Sequence, residues 1–151
     1  MTVIEAEVVK AVAADVPPAF IRGVLSRAGR VPEIAARLPA GHPTVAVRLT
    51  GDEELRKLNR EFARDDHPTD VLSFSGQGEH LGDIAISWPA TVRQAARYRH
   101  HEKTELALLS VHGLLHLLGW DHATAAGREE MSRLTFAALQ ASRIKLAPRR
   151  L

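Results

Sequence analysis

The spacing of apolar residues changes along the chain. From Val3 to Val12 they alternate weakly with acidic positions, Ile4, Ala6 and Val8 against Glu5 and Glu7, which predicts an opening strand. Pro17-Pro18 ends it, and Phe20, Val24 and Leu25 predict a helix from Pro18 to about Ala28. Gly29, Pro32 and Pro39 bracket a short helical segment, Glu33 to Leu38. After the Gly41-His42-Pro43 turn, Thr44 to Leu49 reads as a second strand. Thr50 and Glu53 have capping-box spacing, and Leu55, Leu58 and Phe62 mark one face of a helix ending near Ala63. A polar loop follows. Two further strands, Asp70 to Ser75 and Asp83 to Ser87, are joined by a glycine-rich loop and predict an antiparallel hairpin.

From Pro89 onward the period is helical. One helix runs to about His101. The next, Thr104 to Leu118, carries leucine and valine on nearly every side and is expected to be buried. A last helix runs from about Ala126 to Leu146, with Met131, Leu134, Phe136 and Leu139 as its packing residues. Strands come first and helices later, so the predicted class is α+β. It comprises a small mixed four-stranded sheet with about five helices, in a single domain over residues 1–151. At 151 residues and 45% hydrophobic, the chain supports one core.

Composition narrows the chemistry. There is no cysteine, which excludes disulfides, thiolate metal sites and a cysteine nucleophile. No apolar run approaches the ~18 residues of a membrane span. Glu5 and Glu7 interrupt the opening apolar stretch, unlike a secretory signal, so a cytoplasmic protein is expected. The net charge of +2 says little, but its distribution says more. Arg93, Arg97, Arg99 and Lys103 cluster with His100 and His101, and Arg143, Lys145, Arg149 and Arg150 form a second basic group. Both suit phosphate contacts and suit a solvated surface equally well.

The candidate site is His112-Gly113-Leu114-Leu115-His116-Leu117-Leu118-Gly119-Trp120-Asp121-His122. His112 and His116 are one helical turn apart on one face. Gly119 can end the helix in the left-handed conformation and let the chain bring His122 back. An imidazole buried without a partner costs about 1–3 kcal/mol, so two on a leucine-rich helix call for a ligand or for hydrogen-bonding partners, and the spacing favours a metal. Three nitrogen ligands, with water in a fourth position, are a zinc arrangement typical of hydrolases, and one ion is expected at the end of the buried helix. Asp121 has three readings: fourth ligand, orienting group or general base. A non-ligand role is preferred. Zincin peptidases carry a glutamate directly after the first histidine, where this chain has Gly113, so peptide hydrolysis ranks low. Glu105, two turns before His112, is either an orienting group or a helix cap. Thr69, Asp70 and Ser73 are read as turn and strand residues.

These residues carry a family resemblance. His112 to His122 resembles the HGxLHLxGxDH signature of the YbeY family, Pro68 to Phe74 its PTDVLSF segment, and Leu81 to Ile86 its LGDI strand; Leu58-Asn59 and Met131 also fit. The resemblance covers roughly residues 44 to 139. It implies an endoribonuclease with zinc on His112, His116 and His122, acting in 16S rRNA 3′-end maturation and ribosome quality control. Its implied partners are rRNA and the small ribosomal subunit, with ribosomal proteins and an assembly GTPase. The family has an arginine before the PTDVLSF segment, thought to serve RNA binding or catalysis. Its aligned position here is Ala63, and Arg64 is the substitute expected to fill that role. Asp121 and Arg64 are therefore the candidate catalytic residues, and Arg64, Arg93, Arg97 and Arg99 the candidate RNA contacts. Two alternatives stay open: a ribosome-assembly factor whose metal is structural, and a metal-dependent hydrolase of another substrate.

Overall fold

The structure, a computed structural model, describes residues 3–63 and 69–151. Four strands form one sheet: β1 (Glu5–Lys10), β2 (Thr44–Thr50), β3 (Val71–Ser75) and β4 (His80–Ser87), in spatial order β1-β2-β4-β3. β1, β2 and β4 run parallel, and β3 is antiparallel to β4, as the hairpin reading required. Among the described residues, six α-helices accompany the sheet: α1 (Pro18–Ala28), α2 (Pro32–Ala35), α3 (Asp52–Leu58), α4 (Trp88–Tyr98), α5 (Glu102–Leu117) and α6 (Ala125–Gln140). The α+β class with a mixed sheet is as predicted.

α5 is the centre of the molecule. It packs on α1, α4, α6, β3 and β4. Its residues Glu105 to Val111 and Gly113 to Leu115 are all buried, as the all-round leucine pattern predicts. The core joins them to Val45, Val47 and Leu49 of β2, Ile84 and Ile86 of β4, and Ile21, Val24 and Leu25 of α1. Burying such side chains contributes about 1.5–3 kcal/mol each.

Several boundaries differ from the expected ones. Thr50 does not cap α3: it is the last residue of β2, paired with Ser87, and Gly51 occupies the N-cap position without a side-chain bond. Strand pairing claims Thr50, and Asp52 is instead anchored by the Ser87 hydroxyl at 2.7 Å. After Leu58 the backbone widens into a π-helical turn, Asn59–Ala63. β4 begins at His80, three residues earlier than expected, because β2 pairs with it back to Thr44. α6 ends at Gln140, not Leu146. Beyond it Arg143 adopts a left-handed conformation and Ile144 N–H returns to the Leu139 carbonyl, which folds the following residues back. Phe136, expected to pack, is 54% exposed. The buried face of α6 runs through Met131, Leu134, Thr135, Ala138 and Leu139 at helical spacing, and Phe136 lies off it.

Candidate metal centre

The three histidines meet. Single ligand nitrogens of His112, His116 and His122 all lie within 4.8 Å of one another, the only such cluster of histidine or acidic side chains among the described residues. Nε2 of His112 and Nε2 of His116 are 3.0 Å apart. Nitrogens each ~2.0–2.1 Å from a tetrahedral zinc would stand roughly 3.3 Å apart, so the donor set fits such an ion with little adjustment.

Local structure explains the convergence. His112 and His116 project from one face of α5. Gly119, at φ +97°, turns the chain, with Gly119 N–H on the His116 carbonyl and Trp120 N–H on the Leu115 carbonyl. This paired bonding is a Schellman ending. The following loop is pinned from three sides. The Arg37 guanidinium lies 3.7 Å over the Trp120 ring and donates to the Leu118 carbonyl; Trp120 Nε1 donates to Glu130. Arg128 bonds the His122 carbonyl, and Thr124 caps α6 through Gly127 N–H. His122 itself is exposed, so its position depends on these restraints.

The electrostatics favour neutral imidazoles at His112 and His116. Burial, with the neighbouring His116, His122 and Arg150 charges, pushes the His112 pKa down to about 4. Burial also lowers that of His116, followed by His122, while a bond to the Trp120 backbone and the Asp121 charge oppose the shift. Lone pairs thus remain available at neutral pH, as metal ligation requires.

The trio opens into a cavity of about 500 Å³ whose other wall is β3 and its approach, Thr69 to Ser73. Ser73 donates to the Gly113 carbonyl at 3.0 Å and Thr69 to the Val71 carbonyl, so these residues both shape β3 and line the site. A larger hollow of about 630 Å³ lies at β1 and α1, away from the histidines.

The other candidates are dispersed. Asp121 is exposed and accepts from Ala123 N–H. Arg93 is held by both oxygens of Asp52, at 2.8 and 3.0 Å. Arg97 lies 5.6 Å from the Tyr98 ring, and Arg99 ends α4 in the left-handed conformation. Glu105 bonds no ligand histidine; it is taken by His100 and Arg150. Arg64 lies outside the described residues. Sequence reasoning missed the β3 wall and the closeness of Arg150 to His112, because both are long-range contacts. The clustering of Arg150 with other cations was the only sequence signal for the latter.

The fold and site together define an α+β protein with a three-histidine centre suited to a metal ion. The Endoribonuclease YbeY family profile matches residues 12–143, and the chain belongs to that family. Membership makes it an enzyme of the hydrolase class. An Endoribonuclease YbeY of Chloroflexus aggregans is 43% identical over 122 residues, 73% of this chain and 79% of that protein. One from Moorella thermoacetica is 44% identical over 124 residues, 72% of this chain and 80% of that one. The solution structure of TM1509 from Thermotoga maritima shares the fold, with a TM-score of 0.60 at 22% identity over 93% of this chain and 91% of that one.

Proposed function

We propose that the protein is a zinc-dependent endoribonuclease that hydrolyses phosphodiester bonds of rRNA, acting in 16S rRNA 3′-end maturation and ribosome quality control. It would work in the cytoplasm on the small ribosomal subunit, alongside ribosomal proteins and an assembly GTPase. The observation that carries the reading is the convergence of three imidazole nitrogens on the floor of an open groove. The family's relatives bear the endoribonuclease name. No helix among the described residues is long and apolar enough to cross a membrane.

His112, His116 and His122 would hold the ion, and an all-nitrogen, cysteine-free donor set suits zinc with an open position. When bound, zinc supplies Lewis acidity and lowers the pKa of a coordinated water. Everything else falls to the chain. Burial keeps the His112 and His116 imidazoles unprotonated. Trp120, Arg37 and Arg128 fix the loop that presents His122. Asp121, next to His122 in the chain and exposed, is assigned the proton-accepting or orienting role. Arg64, Arg97 and Arg99 are assigned to RNA phosphates. Arg93 joins them only by loosening its bond to Asp52. Gly113 stands where a zincin peptidase needs its glutamate, which favours the phosphodiester over the peptide bond.

The test compares purified wild type with His116→Ala on small-subunit precursor RNA, with metal analysis of both proteins. Zinc near one equivalent and cleavage, both lost in the variant, are expected. Equal cleavage by the two would overturn the reading.

A further inference from the structure

The Glu105 carboxylate is fully buried, on the helix that carries two of the ligand histidines, and the proposed chemistry gives it no task. Two partners from distant elements share it. His100 donates from Nε2 to Oε1 at 2.7 Å, while its Nδ1 accepts Ala147 N–H at 3.2 Å. Arg150 donates from Nε to Oε1 at 2.9 Å and from Nη2 to Oε2 at 2.6 Å. The Arg150 guanidinium also lies 4.4 Å over the Tyr98 ring. A long, flexible side chain is thereby held in one pose.

Among the described residues, that pose leaves part of the guanidinium unspent. Of its five N–H donors, two go to Glu105, and among the described residues the other three, on Nη1 and Nη2, have no hydrogen-bond partner. Arg150 stands in the wall of a hollow of about 190 Å³ that it shares with Asp70 and His112. His112 and Asp70 also line the cavity holding the three imidazoles, so the two hollows adjoin. A clip between the residues after α6 and α5 needs only the bonds to Glu105. It does not need the guanidinium to border the groove. A buried ion pair is also a poor device for stability alone, since an apolar pair of similar size often does as well.

We propose that Arg150 is a phosphate-binding residue of this groove. Its remaining N–H groups grip an RNA phosphate flanking the cleaved one, and Glu105 and His100 act as positioning residues that hold it in place. The proposal rests on the RNA reading above. A planar fork held by a carboxylate matches the geometry of phosphate oxygens, which a lysine ammonium does not reproduce.

Binding of a single-stranded, fully 2′-O-methylated RNA, which resists cleavage, is measured against salt for the metal-loaded wild type, Arg150→Met, Arg150→Lys, Glu105→Gln and Arg133→Met. Arg133 is an exposed arginine paired with Glu33 and controls for loss of any positive charge. Arg150→Met is expected to weaken binding about tenfold and to reduce the slope of log K against log salt by ~0.7, one phosphate contact. Arg150→Lys should restore the slope without the full affinity, and Arg133→Met should match wild type. Glu105→Gln, which keeps the side-chain shape should Arg150→Met fail to fold, should raise KM for RNA severalfold with kcat within about twofold. A merely structural Arg150 would lower Tm yet leave the affinity and salt slope of the folded variants unchanged, and that result overturns the proposal. If wild type binds and cleaves RNA while the Arg150 and Glu105 variants match it, this assignment alone falls. If wild type neither binds nor cleaves RNA, the proposed function falls with it.

Discussion

A Cβ placed on Gly113 would stand 2.7 Å from Cγ2 of Ile84. The glycine beside the first ligand is therefore where α5 presses against β4, and the Gly113 carbonyl also receives the Ser73 hydroxyl of β3. Lack of a side chain here sets the depth at which His112 and His116 sit against the sheet. Gly113→Ala gains roughly 1 kcal/mol of helix propensity. It also forces Ile84 or the helix aside, and overpacking of that kind costs about 1–3 kcal/mol. A net loss of about 1 kcal/mol is expected, lowering Tm by a few degrees for a chain of this size. Shortening Ile84 to valine should reduce the loss, a coupling that a double-mutant cycle reads directly. A rise in Tm for Gly113→Ala alone would show that the contact has slack.

The metal-free protein should lose stability in weak acid. His112 has its folded pKa lowered to about 4 from an ordinary 6.5, chiefly by burial. Between those values the unfolded chain binds the proton that the folded chain refuses, so the contribution is complete above about pH 6.5 and lost as pH falls toward 4. The shift corresponds to at most about 3 kcal/mol, and somewhat less because the ring keeps partial access to water. His116 adds in the same direction. Denaturant midpoints of chelated protein from pH 7.5 to 4 check this. A His112→Asn variant should show a flatter profile, and equal profiles would remove His112 as the cause.

The site was more legible in the sequence than its surroundings, for a physical reason. His112, His116, Gly119 and His122 are linked by local geometry, a helical turn and a helix ending, which spacing encodes. Thr50 was misread because cross-strand pairing with Ser87 outcompeted a local cap of suitable spacing. Phe136 was misread because an aromatic residue near the right spacing is not on the buried stripe unless the whole stripe agrees. Glu105 does share the face of His112, yet Arg150, 45 residues away, claims its oxygens. No local pattern reports that contact. The π-helical turn at 59–63 follows a run with ordinary helical periodicity, and the spacing of Leu55, Leu58 and Phe62 carried no sign of it.

Ion binding should be visible as stability. A ligand at 100 times its Kd, bound only by the folded chain, adds ~2.7 kcal/mol. At roughly 2–4 °C per kcal/mol, zinc should raise Tm by about 5–11 °C. A chelator should reverse the gain, and His116→Ala should show little of it. Calorimetry with and without zinc measures both. An equal shift in wild type and variant would place the ion elsewhere.

His122 is the ligand whose placement depends most on its surroundings, because it lies on a loop and is exposed. Its position is inherited from Trp120, which is 6% exposed, covered on one face by Arg37 and bonded to Glu130. Neither Arg37 nor Trp120 is one of the three histidine ligands, so a change at either tests positioning separately from coordination. Outer residues that orient ligands typically influence metal affinity 10–100-fold. Arg37→Ala removes the cation over the ring and the bond to the Leu118 carbonyl, and should weaken zinc binding by about tenfold. Trp120→Phe keeps most of the packing but loses the Glu130 bond, so its effect should be smaller. Trp120→Ala should exceed both, because it also opens a cavity beneath the loop. Competition titrations against a chromogenic chelator give the three affinities. The helix ligands His112 and His116 remain in every variant, so residual two-histidine binding should set the floor. If Arg37→Ala binds zinc as tightly as wild type, the Schellman ending at Gly119 suffices to place His122 and the outer clamp serves stability alone.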